Sequence, residues 1–501
     1  MSYASINTQA LSGVTALPVC VEVHISSGLP SLSIVGLPEA AVRESKDRVR
    51  AAIINSGFDF PMQRITINLA PADLPKDGGR YDLPIAIGIL VASNQIPDTK
   101  IQQYQFHGEL ALSGELRPVS GALPVAIGAK ELQHTLILPQ VSAALAALIK
   151  DANVLQATHL IEICRYFHQQ GELQHPAINH ISPFNNTLDI SDVKGQHLAK
   201  RALEISAAGR HNMIMVGPPG TGKTMLASRL PGLLPALTEQ QAIDSAAIRS
   251  ISNHGFDIKD WGQRPFRAPH HTASGVALVG GGSNPKPGEI SLAHNGVLFL
   301  DELTEFDRHS LDVLREPLET GTITISRAAR QAEFPANFQL IAAMNPCPQG
   351  YNCDGKSLCQ CTTEQQRKHR SRISAPLLDR IDIHIEVPAV DRKTLTKNTE
   401  IPETNETVKQ RVNIAFEKQL QRCGKTNAEL SSRETERFCT LGLAETKLLD
   451  QAMERLKLSA RAYHRILRMS RTIADLDDSE KINAKHLTEA ISYRSLDRFM
   501  T

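Results

Sequence analysis

Residues 213–224 read Met213-Ile214-Met215-Val216-Gly217-Pro218-Pro219-Gly220-Thr221-Gly222-Lys223-Thr224. The first four are apolar and bounded by turn-forming residues, the pattern of a short buried strand. The next eight satisfy G-x-x-x-x-G-K-[ST], the loop that joins a strand to a helix and holds phosphate. Its glycines let backbone N–H groups turn inward around phosphate oxygens. The start of the following helix adds donors and a favourable dipole. In such a loop Gly217, Pro218, Pro219, Gly220, Thr221 and Gly222 form the cradle, Lys223 reaches the β- and γ-phosphates, and Thr224 holds Mg²⁺. These residues predict an α/β core, with a nucleoside triphosphate and Mg²⁺ as its ligands.

Working outward, Val297-Leu298-Phe299-Leu300-Asp301-Glu302 is a second apolar strand ending in two carboxylates. Beside a phosphate loop, Asp301 is placed to hold Mg²⁺ through water and Glu302 to polarise the attacking water. A third strand, Leu340 to Met344, ends at Asn345, whose amide is placed to orient that water. Alone, an Asn after a strand is more often a turn former. Helical spacing runs from Leu198 to Ala208 before the first strand, and again from Val408 onward, where no proline occurs.

The N-terminal part alternates in Val19–Ile25 and Arg64–Leu69, which predicts strands. Pro38–Asn55 has Val42, Val49, Ala52 and Ile53 at helical spacing, Leu83–Ser93 reads as a buried helix, and Thr135–Leu138 as a short strand. Between His168 and Asp189 the pattern breaks into glycine, proline and amide residues, a linker composition. Asp391–Glu406 is a second polar break. The expected organisation is an α/β domain over 1–167, a linker over 168–190, a nucleotide-binding core over 191–390 and a helical lid over 391–501.

Bulk properties exclude little. The 54 basic and 53 acidic residues nearly cancel, so any DNA-binding charge must be local. No apolar run approaches the ~20 residues that span a bilayer. Met1–Ala10 lacks a basic segment followed by an apolar one, so no secretion signal is expected and the cytoplasm is the expected location. Of eight cysteines, Cys347, Cys353, Cys359 and Cys361 cluster. Four thiolates this close can wrap one tetrahedral Zn²⁺, although C-x5-C-x5-C-x-C lacks the paired knuckles of a zinc ribbon. Reduced surface thiols are the alternative.

The phosphate loop, the Asp-Glu strand and the Asn-tipped strand occur in the order of AAA+ ATPases. Two further runs are narrower: Phe266–Ser274 (FRAPHHTAS) and Ser374–Asp382 (SAPLLDRID). They resemble the ComM/YifB family, relatives of the ATPase subunit of magnesium chelatase, and the resemblance extends from Val21 to about Arg494. It implies sensor 1 at Asn345 and an arginine finger at Arg380, which reaches a neighbouring subunit's γ-phosphate and so requires a ring. It implies sensor 2 at Arg461 on the C-terminal helical lid. It also implies two insertions facing the pore of a hexamer. One lies within Phe266–Glu289, with Arg267 and Lys286 as DNA-contact candidates. The other is the hairpin Gly321–Gln331, with Arg327 and Arg330. Without the family, a hairpin with solvated arginines is the plainer reading. Phosphate contacts carry no sequence code, so structure-selective DNA binding is expected.

Residues up to about Asp151 resemble the Lon-type proteolytic fold. The residues that carry that chemistry are missing: Arg80 stands where the resemblance expects the nucleophilic serine, and Pro124 where it expects the lysine. The domain is expected to be a catalytically inactive scaffold. Lys76, Arg80 and Lys130 look exposed on it, more as a solvated face than as DNA contacts. The family implies an ATP-driven hexameric helicase, active on single-stranded and branched DNA, that promotes branch migration during natural transformation, with recombination proteins as partners. A chelatase-type remodeller of a protein partner is the alternative, and a Lon-type protease is disfavoured.

Overall fold

The computed structural model of the chain describes residues 2–177, 188–253, 255–282, 285–327, 330–351, 359–390, 402–456 and 458–494. Residues 178–187 of the expected linker, 391–401 at the second polar break, and Cys353 lie outside the described residues. The chain divides into two compact units, residues 1–182 with 246–261, and residues 183–245 with 262–501.

The first unit is built on a seven-stranded sheet. Its order is Ser31–Val35, Arg64–Ala70, Thr15–Ser26, Ser2–Ser12, Tyr104–Phe106, Thr135–Pro139, Val154–Ala157. Alternation places Val19, Val21, Val23, Ile25, Ile65, Ile67 and Leu69 in the core, as expected where one face of a sheet is covered. Ala40–Asn55 buries Val42, Val49, Ala52 and Ile53, and Asp82–Ala92 is buried along its whole length. Ser2–Ser12 pairs antiparallel with Thr15–Ser26 around Gly13, whose φ is 58°. That strand is invisible to periodicity because Ser5, Asn7, Thr8 and Gln9 interrupt its apolar residues.

The second unit holds a five-stranded sheet in the order Phe266–Arg267, Val297–Leu300, Gln339–Met344, Met213–Val216, Ile383–Glu386, every neighbouring pair parallel. All residues of Met213–Val216, Val297–Leu300 and Gln339–Met344 are buried. Continuous apolar runs are what a parallel sheet covered on both faces requires. The helix His197–Gly209 packs on this sheet. The C-terminal helices Asn405–Cys423, Ser432–Phe438, Leu443–Leu456, Ala460–Leu476 and Ala484–Ser492 share the same core through Val408, Val412, Leu449, Ile466 and Leu487. Side-chain caps start them: Thr404 accepts from Thr407 N, and Ser431 and Asn483 form capping boxes. Gly424 ends the first of them with φ 75°, a left-handed cap that glycine adopts without a Cβ penalty.

A buried polar joint ties the lid to the sheet. Asp382 accepts from Arg465 at 2.6 Å and from His211 at 3.3 Å. The other His211 nitrogen meets Thr472 at 2.8 Å. Burial alone would raise the Asp382 pKa, but the Arg465 charge and the His211 contact hold it well below the usual carboxylate range. No helix among the described residues is long and apolar enough to cross a membrane.

Candidate nucleotide site

Three adjacent parallel strands end side by side, and their C-terminal ends carry the site. Met213–Val216 runs into the glycine-rich loop, Gln339–Met344 into Asn345, and Val297–Leu300 into Asp301 and Glu302. Ligands of open parallel sheets bind at this edge. Gly220 and Gly222 take φ of 77° and 87°, left-handed values that glycine adopts freely. A Cβ on Gly217 would sit 2.2 Å from the Val387 carbonyl oxygen, so only glycine fits there. The helix Lys223–Leu233 starts at the end of the loop and aims its free N–H groups into a cavity of about 400 Å³. Pro219 to Met225, Asp301, Glu302, Met344 and Asn345 line it.

Within the cavity Lys223 is buried, and its ammonium donates to Gly217 O at 2.7 Å, Pro218 O at 2.9 Å and Asn345 Oδ1 at 3.2 Å. Burial lowers its pKa, and the Asp301 and Glu302 charges oppose that shift. Thr224 Oγ1 donates to Asp301 Oδ2 at 2.6 Å. Glu302 is one of the few non-glycine residues at positive φ, 52°. Such a conformation costs about 1 kcal/mol or more and persists where surrounding structure fixes it. Its N–H donates to Asp301 Oδ1 at 2.9 Å, and its carboxylate lies 3.1 Å from His271 Nδ1. The buried His369 contacts Asn345 O at 3.1 Å, and burial lowers the His369 pKa. Neither histidine's role is visible in sequence, because each acts across tens of residues on a motif it does not belong to.

Arg380 and Arg461 do not line this cavity. Arg380 lines a separate one of about 440 Å³, together with Arg210, Glu319, Asp382, Arg465 and Arg468. Its Nη1 donates to Pro376 O at 2.6 Å and its Nη2 to Glu319. Arg461 is largely exposed, and among the described residues its ion-pair partner is Asp379, at 3.9 Å. The two arginines thus lie near each other and away from their own chain's phosphate loop.

Cys347, Cys359 and Cys361 come together, with all three Sγ atoms within 4.8 Å of one another and Cys347 and Cys359 at 3.5 Å. Tetrahedral Zn–S bonds of ~2.3 Å place sulfurs ~3.8 Å apart, so the three positions fit a zinc ion. The fourth, Cys353, is outside the described residues.

The candidate DNA contacts divide. The hairpin Thr322–Arg327/Arg330–Pro335 forms as expected, in a register that sets Arg327 opposite Arg330 at the tip. The side chains of both arginines lie outside the described residues. Ile323, Ile325 and Phe334 anchor its buried face. A second hairpin pairs Gly280–Gly281 with Lys286–Pro287, and Ile325 packs against Gly280, so the two insertions touch. Lys286 is exposed. Arg267 departs from expectation: its Nε and Nη2 make a fork to Glu289 at 2.6 and 2.7 Å. The bidentate carboxylate pair ties Arg267 to Glu289 within the insertion and takes the Nε–Nη2 edge of its guanidinium.

On the first unit, Lys76 is fully buried and gives its ammonium to the Pro71 carbonyl, which corrects its reading as an exposed base. Arg80 is half-buried, with Nη2 3.3 Å from Ser120 Oγ. Lys130 is exposed and bonds Lys150 O at 2.7 Å.

The chain matches three family models along its length: "Subunit ChlI of Mg-chelatase" over residues 21–142, "Magnesium chelatase, subunit ChlI" over 189–395, and "Magnesium chelatase, subunit ChlI C-terminal" over 402–494. It is 50% identical to the uncharacterized protein YifB of Escherichia coli over 100% of this chain and 98% of that protein. It is 48% identical to the competence protein ComM of Haemophilus influenzae over 100% of this chain and 99% of that protein.

Proposed function

The chain belongs to the ComM/YifB family of magnesium-chelatase-type AAA+ ATPases, and on that premise we propose that it is a hexameric, ATP-driven DNA helicase that promotes branch migration of recombination intermediates during natural transformation. The observation that carries the DNA reading is the match, along essentially the whole of both chains, to a relative named for competence. The paired hairpins support it, since one sets two arginines at a tip that has no acidic residue beside them. Phosphate contacts of this kind give affinity without sequence preference.

On this reading each site residue has a task. The loop N–H groups and Lys223 bind the β- and γ-phosphates. Thr224 and Asp301, whose oxygens already meet, are the residues that would hold Mg²⁺, Asp301 through water; bound there, the ion offsets phosphate charge. Glu302 accepts the proton of the attacking water, and Asn345, braced by His369, orients that water. Arg380 lines a cavity separate from its own phosphate loop and is assigned to a neighbouring subunit's γ-phosphate. Arg461, which approaches Asp379 next to Arg380, is assigned the sensor 2 role at the same neighbouring site. The cysteines are assigned a structural zinc that braces the loop after Asn345. The first unit is assigned a Lon-like fold without protease chemistry. Arg80 and Ser120 bring the two relevant loops together, but Arg80 and Pro124 offer neither nucleophile nor base. Domain limits of 1–167, 191–390 and 391–501 remain the reading for function.

A chelatase-type remodeller is the second reading. A model described as a magnesium-chelatase subunit matches residues 21–142, so the N-terminal domain does not discriminate between the two. The discriminating experiment is ATP turnover with and without single-stranded and branched DNA, using Lys223→Ala as the blank. Several-fold stimulation by DNA is expected. Stimulation by porphyrin and none by DNA would replace the motor with the remodeller, and casein cleavage would restore the protease.

A further inference from the structure

We propose that Glu319 is a latch on Arg380: it neutralises and holds the arginine while the hairpin Thr322–Pro335 is free, and releases it when that hairpin is engaged. This rests on the reading of Arg380 as the residue that acts on a neighbour's phosphate.

The first ground is the state of Arg380. Its side chain is only 11% exposed. One terminal nitrogen is committed to Pro376 O and the other to Glu319, while Nε is buried without a partner among the described residues. An arginine that stabilises phosphate charge presents its fork to two oxygens at once. Held this way, its two terminal nitrogens are directed at Pro376 O and Glu319 rather than together at one phosphate, and its charge is offset by a carboxylate. Glu319 is the more exposed member of the pair, at 56%, so it has room to leave.

The second ground is what surrounds the pair. Arg210, Arg465 and Arg468 line the same cavity. Burial lowers the Arg380 pKa, Glu319 works against that, and Arg315, Arg461 and Arg465 lower it further. Arg465 is paired with Asp382 and Arg210 with Glu429 in the same recess, so Glu319 is the carboxylate that offsets Arg380 there.

The third ground is the attachment of Glu319. It sits on the single turn Pro317–Thr320, which Gly321 ends at φ 71°. The hairpin begins at the next residue. Thr320 Oγ1 donates to Thr322 O at 3.1 Å, and Ala336 N donates to Gly321 O at 2.7 Å, so both strands of the hairpin are tied to this turn. A helix of one turn has no length over which to absorb a displacement, so movement of the hairpin is movement of Glu319.

Glu319→Gln keeps the side chain's shape and removes its charge. In the full-length protein without DNA, kcat for ATP is expected to rise about two- to fivefold, the scale of one partly exposed ion pair, with KM unchanged. With single-stranded DNA the variant should match wild type, so the stimulation ratio falls by the same factor. Glu319→Asp, which keeps a carboxylate, should lie nearer wild type. In an Arg380→Ala background, Glu319→Gln should change nothing. If Glu319→Gln and Glu319→Ala both turn over at or below the wild-type DNA-free rate while Arg380→Ala is inactive, the latch is wrong and the role of Arg380 stands. If Arg380→Ala turns over at the wild-type rate, the role of Arg380 falls and the latch with it.

Discussion

Lys223→Ala is the most direct perturbation of the nucleotide site, and its size follows from what Lys223 does before ATP arrives. The ammonium already has three oxygen partners, two carbonyls and the Asn345 amide, between 2.7 and 3.2 Å. Binding therefore exchanges protein oxygens for phosphate oxygens. Two hydrogen bonds to charged phosphate are worth about 3–6 kcal/mol, and three to neutral oxygens about 1.5–4.5 kcal/mol. The difference, about 1.5 kcal/mol with low end set against low end or high against high, is a loss of roughly tenfold in affinity. A lysine waiting unpaired in the cavity would forfeit far more. Equilibrium titration with a fluorescent ATP analogue and Mg²⁺, followed by anisotropy, reads the effect directly. Affinity within threefold of wild type would refute the assignment of Lys223 to the phosphates. A loss beyond ten-thousandfold would refute the exchange argument, because it would mean that the three resting contacts carry no weight.

Glu302→Gln should bind ATP within a few-fold of wild type and lose turnover by about 100-fold or more, the usual share of a general base; a wild-type rate in a phosphate-release assay removes Glu302 from that role. Asp382→Asn should destabilise the second unit by about 3 kcal/mol at pH 7, because Arg465 and His211 keep their charge or dipole without its counterpart. The folded pKa of Asp382 is depressed, so its contribution is present above the unfolded value of ~3.9 and is lost as pH falls through the folded one. The gap between variant and wild type in urea melts should therefore narrow below about pH 4, and a gap that stays constant would count against the ion pair as its source. Elemental analysis of protein purified without chelator should find a stoichiometric zinc that Cys347→Ser removes; zinc-free wild type with titratable thiols at all three described positions would end that assignment. Arg267→Ala should lower the melting temperature through loss of the Glu289 fork and leave DNA affinity within about twofold, the behaviour of a partly buried structural pair, whereas a tenfold loss in DNA affinity with unchanged melting would return Arg267 to the DNA contacts.

What was legible in sequence is what short range decides. The glycine-rich loop, the Asp-Glu strand end and the Asn-tipped strand each declare themselves within a dozen residues, and parallel strands buried on both faces write themselves as apolar runs. The hairpin Thr322–Pro335 announces its period of two. What stayed hidden is set by distant partners. Glu319 meets Arg380 across 61 residues and Asp382 meets Arg465 across 83, and nothing local marks either acid as different from its neighbours. His271 stands beside Glu302 only because the strand Phe266–Arg267 lies next to Val297–Leu300. Lys76 misled because a lysine in a polar run is ordinarily solvated, and here the fold turns its ammonium onto a carbonyl five residues back. The partner of Arg267 was hidden in the same way, because Glu289 is brought to it by the fold of the insertion between them.

The backbone at Arg380 narrows how any release can occur. Asn212, the residue before the strand that enters the phosphate loop, donates its side-chain amide to Arg380 O at 3.1 Å and accepts from Leu340 N at 2.8 Å. Asp382 N and Ile383 N both donate to Asn212 O at 3.0 Å. One asparagine thus registers the backbone of Arg380 to the neighbouring strands Met213–Val216 and Gln339–Met344. The Asp382 joint fixes the same segment to the lid helix Ala460–Leu476. With its backbone held from both sides, Arg380 can change its reach only by side-chain rotation, and that rotation is free only if its partner departs. The partner therefore has to be the moving part. Glu319, half-exposed on a single turn at the root of a hairpin, is the one member of the pair whose backbone is not bound into the sheet. The distance from each chain's phosphate loop to its own Arg380 is fixed by the same registration, so in a ring the packing between subunits, together with this one rotation, decides whether a neighbouring γ-phosphate is met.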